Sequence, residues 1–160
     1  MFPRSIVDIN KLEIINSILS ILKQTNAASK GSMGKLMGDK AELVMEKMTG
    51  GVIYGANQVG FDLIGNGFLP DLPQSQELKY EVKLRRSSVT SCNFEKSKIG
   101  KFDVGIVIWY DETTLLPTAA FAIEHDFVKD LCHGERAHIT PKVCRDSGIE
   151  FTAQLQEYWQ

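Results

Sequence analysis

Two acidic residues and one lysine lie on two stretches of the chain whose alternation is typical of strands. Asp62 lies in residues 60–64, and Glu81 and Lys83 lie in residues 77–86. Because side chains alternate between the faces of a sheet, Glu81 and Lys83 project from one face and the apolar residues between them from the other. If the two stretches pair, Asp62 lies beside Glu81. Two carboxylates next to a lysine can bind a hard divalent cation and activate a water molecule.

Further acidic residues lie upstream, on a predicted helix. Asp39, Glu42 and Glu46 are spaced so that they share one face of that helix. Glu42 stands between Ala41 and Leu43, beside the apolar stripe, from where its carboxylate can point toward Asp62. Alternatively, the charged residues of the helix and of the strand could simply form solvent-exposed faces without a metal site. The sequence pattern alone does not decide between the two interpretations.

Hydrophobic spacing predicts the elements that position these residues. Apolar residues at helical spacing predict helices over 8–24 and 33–48, joined by a small, polar linker. Strands are predicted at 52–54, 60–64, 77–86, 104–110 and 118–123, and short helices at 126–131 and 150–159. Residues 104–110 are apolar on both faces, which indicates a central strand. The predicted fold class is therefore α/β (α+β), with a central mixed sheet of four to five strands flanked by helices.

Length and composition are those of a soluble globular domain, with 160 residues, 43% of them hydrophobic and 24% charged. We expect one domain over residues 1–160, with an N-terminal helix and linker over 1–30 and the core over 31–160. No apolar run could span a bilayer, and the three cysteines form no C-x-x-C pair. We therefore expect a cytoplasmic protein without membrane association.

Charge and motifs exclude several classes of function. The net charge of −2 argues against a globally basic nucleic-acid-binding protein, but residues 79–101 hold seven lysines and arginines against two glutamates. Such a local patch can neutralise phosphates. The H-E-x-x-H, G-x-S-x-G, P-loop and G-x-G-x-x-G patterns are absent from the sequence, so metalloprotease, α/β-hydrolase, nucleotide-hydrolase and dinucleotide-binding functions have no support.

The order of these motifs resembles the PD-(D/E)xK nuclease superfamily, which includes many type II restriction endonucleases. The matching elements are G-x-x-x-G-D-x-x-E at residues 34–42, G-F-D at 60–62 and E-V-K at 81–83, and the resemblance covers roughly residues 33–125. It implies a restriction-endonuclease-like sheet and a single nuclease domain whose catalytic core is 31–160.

The resemblance also implies roles for individual residues. Asp62, Glu81 and the carbonyl of Val82 would bind the metal, expected to be Mg²⁺ with Mn²⁺ able to substitute. Lys83 would help to orient or deprotonate the attacking water. Glu42 would be the accessory helix acid, and the catalytic residues are therefore Asp62, Glu81, Lys83 and Glu42.

For two of these residues, Glu42 and Asp62, the sequence offers an alternative acidic residue. Asp39 lies one turn before Glu42 and could take its place. Asp71 follows a proline, as the letters of the family motif suggest, but it lies between two prolines, where the backbone joins a ladder poorly. We prefer Asp62 because its neighbours are typical of a strand.

The function that the resemblance implies is that of a Mg²⁺-dependent DNA endonuclease acting on double-stranded DNA, of the small type II restriction kind. A junction-resolving or repair nuclease, or a non-catalytic nucleic-acid-binding protein of the same fold, remains the alternative. Cutting both strands suggests a homodimer, and the apolar stripe of helix 8–24 is either its seam or packed on its own domain. Candidate nucleic-acid-binding residues are Arg85, Arg86, Ser87, Ser88, Lys96 and Lys98.

Overall fold

The computed structural model of the protein describes residues 6–25, 30–54, 60–74 and 77–159. Within these ranges a mixed sheet is packed between helices on one face and a smaller sheet with short helices on the other. The helices are α1 (Ile6–Thr25), α2 (Lys30–Thr49), α3 (His125–Asp130), α4 (Pro141–Ser147) and α5 (Thr152–Tyr158). The strands are β1 (Val52–Ile53), β2 (Leu63–Gly65), β3 (Leu78–Arg86), β4 (Cys92–Glu95), β5 (Val104–Tyr110), β6 (Pro117–Glu124), β7 (Cys132–His133), β8 (Arg136–Ile139) and β9 (Ile149–Glu150).

The large sheet has the strand order β1-β2-β3-β5-β6-β9. Only the central pair, β3 and β5, is parallel among the described strands, so the predicted mixed sheet is confirmed. The predicted count of four to five strands is wrong by one. The additional strand is β9, a two-residue pairing with β6 at the sheet edge, immediately before the helix that we predicted from residue 150.

The two faces of the sheet bury different clusters. Tyr80 and Ile106 face α1, α2 and α5, where they pack in one hydrophobic cluster. Val107 and Phe121 face the opposite way, toward Phe94 on β4. Every residue of β5 is buried, as the prediction of a central strand requires. The odd-numbered residues of β3, including Glu81 and Lys83, therefore belong to the face that β4 partly covers.

The helix α1 packs against α2 through an inward stripe that includes Leu12, Ile15 and Leu19. Its outer side carries a second apolar stripe, since Ile14 is 57% exposed and Ile18 is 38% exposed. Of the predicted linker over 25–32, Thr25 closes α1 and residues 30–32 open α2, while residues 26–29 lie outside the described ranges.

The small sheet, ordered β4-β8-β7, was not predicted, and neither was α4. Its strands are two to four residues long and polar on their outer side, so hydrophobic periodicity gives little signal there. None of the described helices is long and apolar enough to cross a membrane.

Candidate active site

Asp62 is held against β3 by two hydrogen bonds. Its backbone N–H donates to the carbonyl of Tyr80 at 2.8 Å, and its Oδ2 accepts from the N–H of Val82 at 2.7 Å. The antiparallel pairing of β2 with β3 ends at Leu63 and Tyr80, and Asp62 directly precedes it. Asp62 lies close enough to Glu81 for its charge to raise the pKa of that residue. The structure therefore brings together the two carboxylates that the sequence predicted to be neighbours.

A close backbone approach fixes the segment that leads into Asp62. Gly60 is buried, has a φ of +87°, and an added Cβ there would stand 2.5 Å from the Cβ of Lys101. A side chain at this position would be strained and would also clash, so glycine is required. This close contact holds the backbone just before Asp62 against the turn that precedes β5.

Glu81 is almost completely buried, with 4% of its surface exposed, and two lysines share one of its oxygens. The Nζ of Lys83 lies 3.3 Å from Oε1, and the Nζ of Lys98 lies 3.9 Å from the same atom. Lys83 comes from the same strand, as predicted. Lys98 comes from the turn after β4, and its contact with Glu81 was not predicted.

That turn reaches Glu81 because β4 packs closely over β5. Gly105 is the register partner of Glu81, and an added Cβ at Gly105 would stand 2.9 Å from the Cζ of Phe94. The absence of a side chain at Gly105 thus makes room for the Phe94 ring beside Glu81. The turn that follows Phe94 then carries Lys98 over the carboxylate.

Glu42 approaches the site from α2. Burial raises its pKa to about 7, and the carboxylates of Asp62, Asp39 and Glu81 and a hydrogen bond with Asp62 act in the same direction. Carboxylates influence one another in this way only at short range. Glu42 is therefore the helix acid that meets Asp62, while Asp39 lies exposed one turn earlier.

Burial also raises the pKa of Glu81, and the charge of Asp62 adds to that effect. The positive charges of Lys83 and Lys98, and the hydrogen bond from Lys83, oppose it. The rise persists although both lysines are present, because burial is its largest cause. In formal charges, the carboxyl groups of Glu42, Asp62 and Glu81 outnumber the two lysines that contact Glu81. Such an excess favours binding of an external cation.

The donor set suits a hard divalent ion. Asp62 and Glu81 supply carboxylate oxygens, and the N–H and C=O of a strand residue point toward the same neighbouring strand. Because the N–H of Val82 is bonded to Asp62, its carbonyl faces the same gap. Among the described residues, no group of three or more acidic, histidine or cysteine side chains is arranged to hold a metal ion. The fit is to an ion that keeps several waters, as Mg²⁺ does.

The other acidic candidates lie elsewhere. Asp71 lies in an exposed turn closed by a hydrogen bond between Leu72 and Leu69, so it does not join β3. Glu46 is 5% exposed, and its Oε2 accepts a hydrogen bond from the N–H of Ile53 at the start of the sheet. Its carboxylate therefore supports β1.

The predicted nucleic-acid-binding residues fall into two groups. Lys98 lies at Glu81, and Lys96, on the same turn, lines a separate cleft with His125. Arg86 lies at the far end of β3, 3.7 Å from Glu112. Within the first group only Lys98 contacts Glu81, and the second group lies away from the carboxylates. The other members of the far group are Arg85, whose Nη1 donates to the carbonyl of Leu84, Ser88, which donates to Glu112, and the exposed Ser87.

Comparison with known proteins finds likeness among solved structures. No family model and no curated protein matches the sequence. A solved structure that is similar in fold is that of Hjc, a Holliday junction resolvase from the archaeal hyperthermophile Archaeoglobus fulgidus. The TM-score is 0.44 and the identity 10%, over 79% of this chain and 96% of that chain. This likeness is too distant to carry an argument about activity.

The fold can be judged on its own elements. A mixed sheet is flanked by helices, an aspartate enters its second strand, and a glutamate and a lysine two residues apart share a face of its third. Glu42, on α2, forms a hydrogen bond with this aspartate. The chain thus resembles the PD-(D/E)xK nucleases in the order of its motifs, which lie on a mixed sheet flanked by helices.

Proposed function

We propose that this protein is a metal-dependent endodeoxyribonuclease that hydrolyses phosphodiester bonds in double-stranded DNA. The observation that carries the proposal is the partly buried cluster in which Asp62 and Glu42 lie close to the buried Glu81, with Lys83 in ion contact with its Oε1. Buried carboxylates in excess over their cations cost folding energy, which is a feature of functional sites.

The expected cofactor is Mg²⁺, with Mn²⁺ able to substitute, held by Asp62, Glu81 and the carbonyl of Val82. When bound, such an ion would neutralise charge on the scissile phosphate and lower the pKa of a coordinated water. Asp62 is already oriented for this role by the N–H of Val82. Glu42 supports that orientation through its hydrogen bond with Asp62.

Lys83 has the position of a catalytic cation. Its contact with Glu81 at 3.3 Å keeps the ammonium group beside the carboxylates, and its side chain is 20% exposed. From there Nζ can donate a hydrogen bond to the attacking water and offset the negative charge that develops on the phosphate. Replacing it removes this charge while leaving the carboxylates in place.

Within this reaction we propose a restriction-type enzyme that cuts duplex DNA as a homodimer, since one site cuts one strand. The outer stripe of α1, with Ile14 and Ile18 exposed, is the seam that we propose for the dimer. A junction-resolving or repair nuclease would use the same residues. Only the substrate separates the two functions.

The test is a cleavage panel with supercoiled plasmid, linear duplex of mixed sequence and a synthetic four-way junction. Each substrate is incubated with Mg²⁺, Mn²⁺, Ca²⁺ or EDTA. We expect cleavage with Mg²⁺ and Mn²⁺ and none with EDTA, because the reaction needs the cation. Ca²⁺ should support DNA binding without cleavage. Cleavage of the junction alone would select the junction-resolving function.

Two variants serve as controls. Lys83→Ala should abolish cleavage, whereas Lys142→Ala, an exposed residue of α4 near the opposite edge of the sheet, should cut normally. A protein that leaves every substrate intact with both Mg²⁺ and Mn²⁺ would contradict the proposal and favour a non-catalytic nucleic-acid-binding protein.

A further inference from the structure

Two lysines contact a single oxygen of Glu81, and they are held differently. Lys83 extends from the central strand β3 and is 20% exposed, whereas Lys98 lies on a surface turn and is 41% exposed. Their distances to Oε1 also differ, at 3.3 Å and 3.9 Å. Lys83 is thus the inner partner of Glu81, and Lys98 is the outer one.

The backbone that carries Lys98 is fixed, although the side chain is open to solvent. The N–H groups of Lys98 and Ile99 both donate to the carbonyl of Glu95, and the N–H of Lys101 donates to that of Lys98. The N–H of Lys96 ties the same turn to Glu135. The long side chain can therefore change its partner without any movement of the turn.

A divalent ion and an ammonium group would compete for Glu81. A metal held by this carboxylate places two positive charges where Lys98 now contributes one, and like charges at this separation repel strongly in a partly buried site. At the same time the ion draws in a DNA phosphate, which offers the displaced ammonium a new anionic partner.

We propose that Lys98 is an exchangeable counter-ion of the site. It neutralises Glu81 when the metal is absent, and it moves to a phosphate of the bound DNA when the metal enters. The inference depends on the proposed nuclease function, because it takes Glu81 to be a metal ligand. Lys98 acts through Glu81 and the DNA backbone, and is therefore a positioning residue.

This role has a signature that a plain phosphate-binding lysine lacks. Removing Lys98 frees Glu81 from a competitor, so the metal should bind more tightly. The same change removes a phosphate contact, so DNA should bind less tightly in the presence of metal. A lysine that merely touched DNA would affect the second quantity and leave the first unchanged.

The first measurement is calorimetric titration of the DNA-free protein with Mn²⁺. Lys98→Ala should bind Mn²⁺ about three- to tenfold more tightly than the wild type, which is the scale expected for loss of one partly exposed ion pair. Lys96→Ala is the matched control, because it removes the same charge from the same turn without an ion pair to Glu81. Its Mn²⁺ affinity should equal that of the wild type.

The second measurement is DNA binding to a fluorescent duplex, with Ca²⁺ and with EDTA. The Lys98→Ala variant should lose about tenfold in affinity with Ca²⁺ and clearly less with EDTA, because Lys98 reaches the phosphate only after the ion has displaced it. An equal loss in both conditions would overturn the exchange.

The outcomes separate the two proposals. A wild type that binds no Mn²⁺ would refute the metal-dependent nuclease itself. A wild type that binds Mn²⁺ with an affinity that Lys98→Ala leaves unchanged or weakens would refute only the counter-ion exchange. Tighter binding in Lys98→Ala together with unchanged binding in Lys96→Ala is the result that supports it.

Discussion

The middle and the end of β3 carry similar residues in different states. In the middle, Glu81 is buried beside Asp62 and Glu42, and two lysines contact it. At its end, Arg86 and Glu112 lie 3.7 Å apart with about a third of each side chain exposed, and Ser88 donates to Glu112 at 2.5 Å. The charges at the far end are paired in solvent.

The difference shows which charges indicate chemistry. An exposed ion pair stabilises a protein by about 0–1 kcal/mol and is a common surface feature. Buried carboxylates that repel one another instead lower the stability of the fold. A proton or a bound cation restores that stability by neutralising them. The middle of β3 is thus the reactive region, and the far end is a candidate only for contacts with the DNA backbone.

The sharpest comparison uses one substitution in each of these two regions of β3. Lys83→Ala should lower the cleavage rate by about a thousandfold or more, because a fixed cation is lost beside the reacting phosphate. Arg86→Ala should change it by less than about fivefold, since its loss removes at most a backbone contact. Single-turnover rates on plasmid DNA measure both. Equal losses of cleavage rate in the two variants would show that the two regions of β3 do not differ in function.

Glu42→Gln should have the next largest effect. The amide keeps the shape of the side chain and can still donate a hydrogen bond to Asp62, but it cannot supply the negative charge that Glu42 would add beside the cation. We expect the rate to fall by about ten- to a hundredfold, as for other groups that orient a metal ligand. Asp39→Asn, on the exposed turn before it, is the matched control and should reduce the rate far less. The reverse order would make Asp39 the accessory acid.

The stability of the metal-free protein should depend on pH through Glu42. Its folded-state pKa of about 7 lies above the ordinary 4.5, so the native state binds the proton more tightly than the unfolded chain. The free energy of unfolding in EDTA should therefore fall as the pH rises from about 5 to 8. The fall should be smaller in Glu42→Gln, which should be the more stable of the two at pH 8 by about 1 kcal/mol, since partial exposure screens the group.

That dependence can be read from urea unfolding curves at several pH values. A wild type whose stability rises over this range, or a Glu42→Gln variant that falls as steeply, would contradict the placement of Glu42 among other acids. Added Mg²⁺ should flatten the wild-type curve, because the bound cation neutralises the carboxylates.

The smallest effect is expected at the far end. Glu112→Gln removes the exposed partner of Arg86 and should change the free energy of unfolding by about 0.5 kcal/mol or less. Glu42→Gln should change the free energy of unfolding more. Comparing the two changes tests whether burial distinguishes the site around Glu81 from the far end of β3. Thermal unfolding in EDTA at pH 8 gives both values.

The sequence predicted the part of the site that strand geometry dictates. Alternation along β3 placed Glu81 and Lys83 on one face, and strand-like neighbours favoured Asp62 over Asp71. The strands with strong patterns, above all β5, were also placed correctly. These inferences needed only local rules.

The contact of Lys98 could not be found in the same way. It depends on the small sheet, whose short strands leave little periodic signal, and on two close approaches, at Gly60 and at Gly105. Gly60 approaches Lys101 and Gly105 approaches Phe94. The sequence around neither glycine indicates which residue it contacts. Tertiary packing, which local pattern does not encode, therefore decides this half of the site.

The most direct test of the central claim is anomalous diffraction from crystals soaked in Mn²⁺. The account predicts one strong peak between the carboxylates of Asp62 and Glu81, within ligand distance of the Val82 carbonyl, and no such peak in Asp62→Asn crystals. Ordered Mn²⁺ at another group of residues, or none at all beside Glu81 at saturating metal, would contradict it.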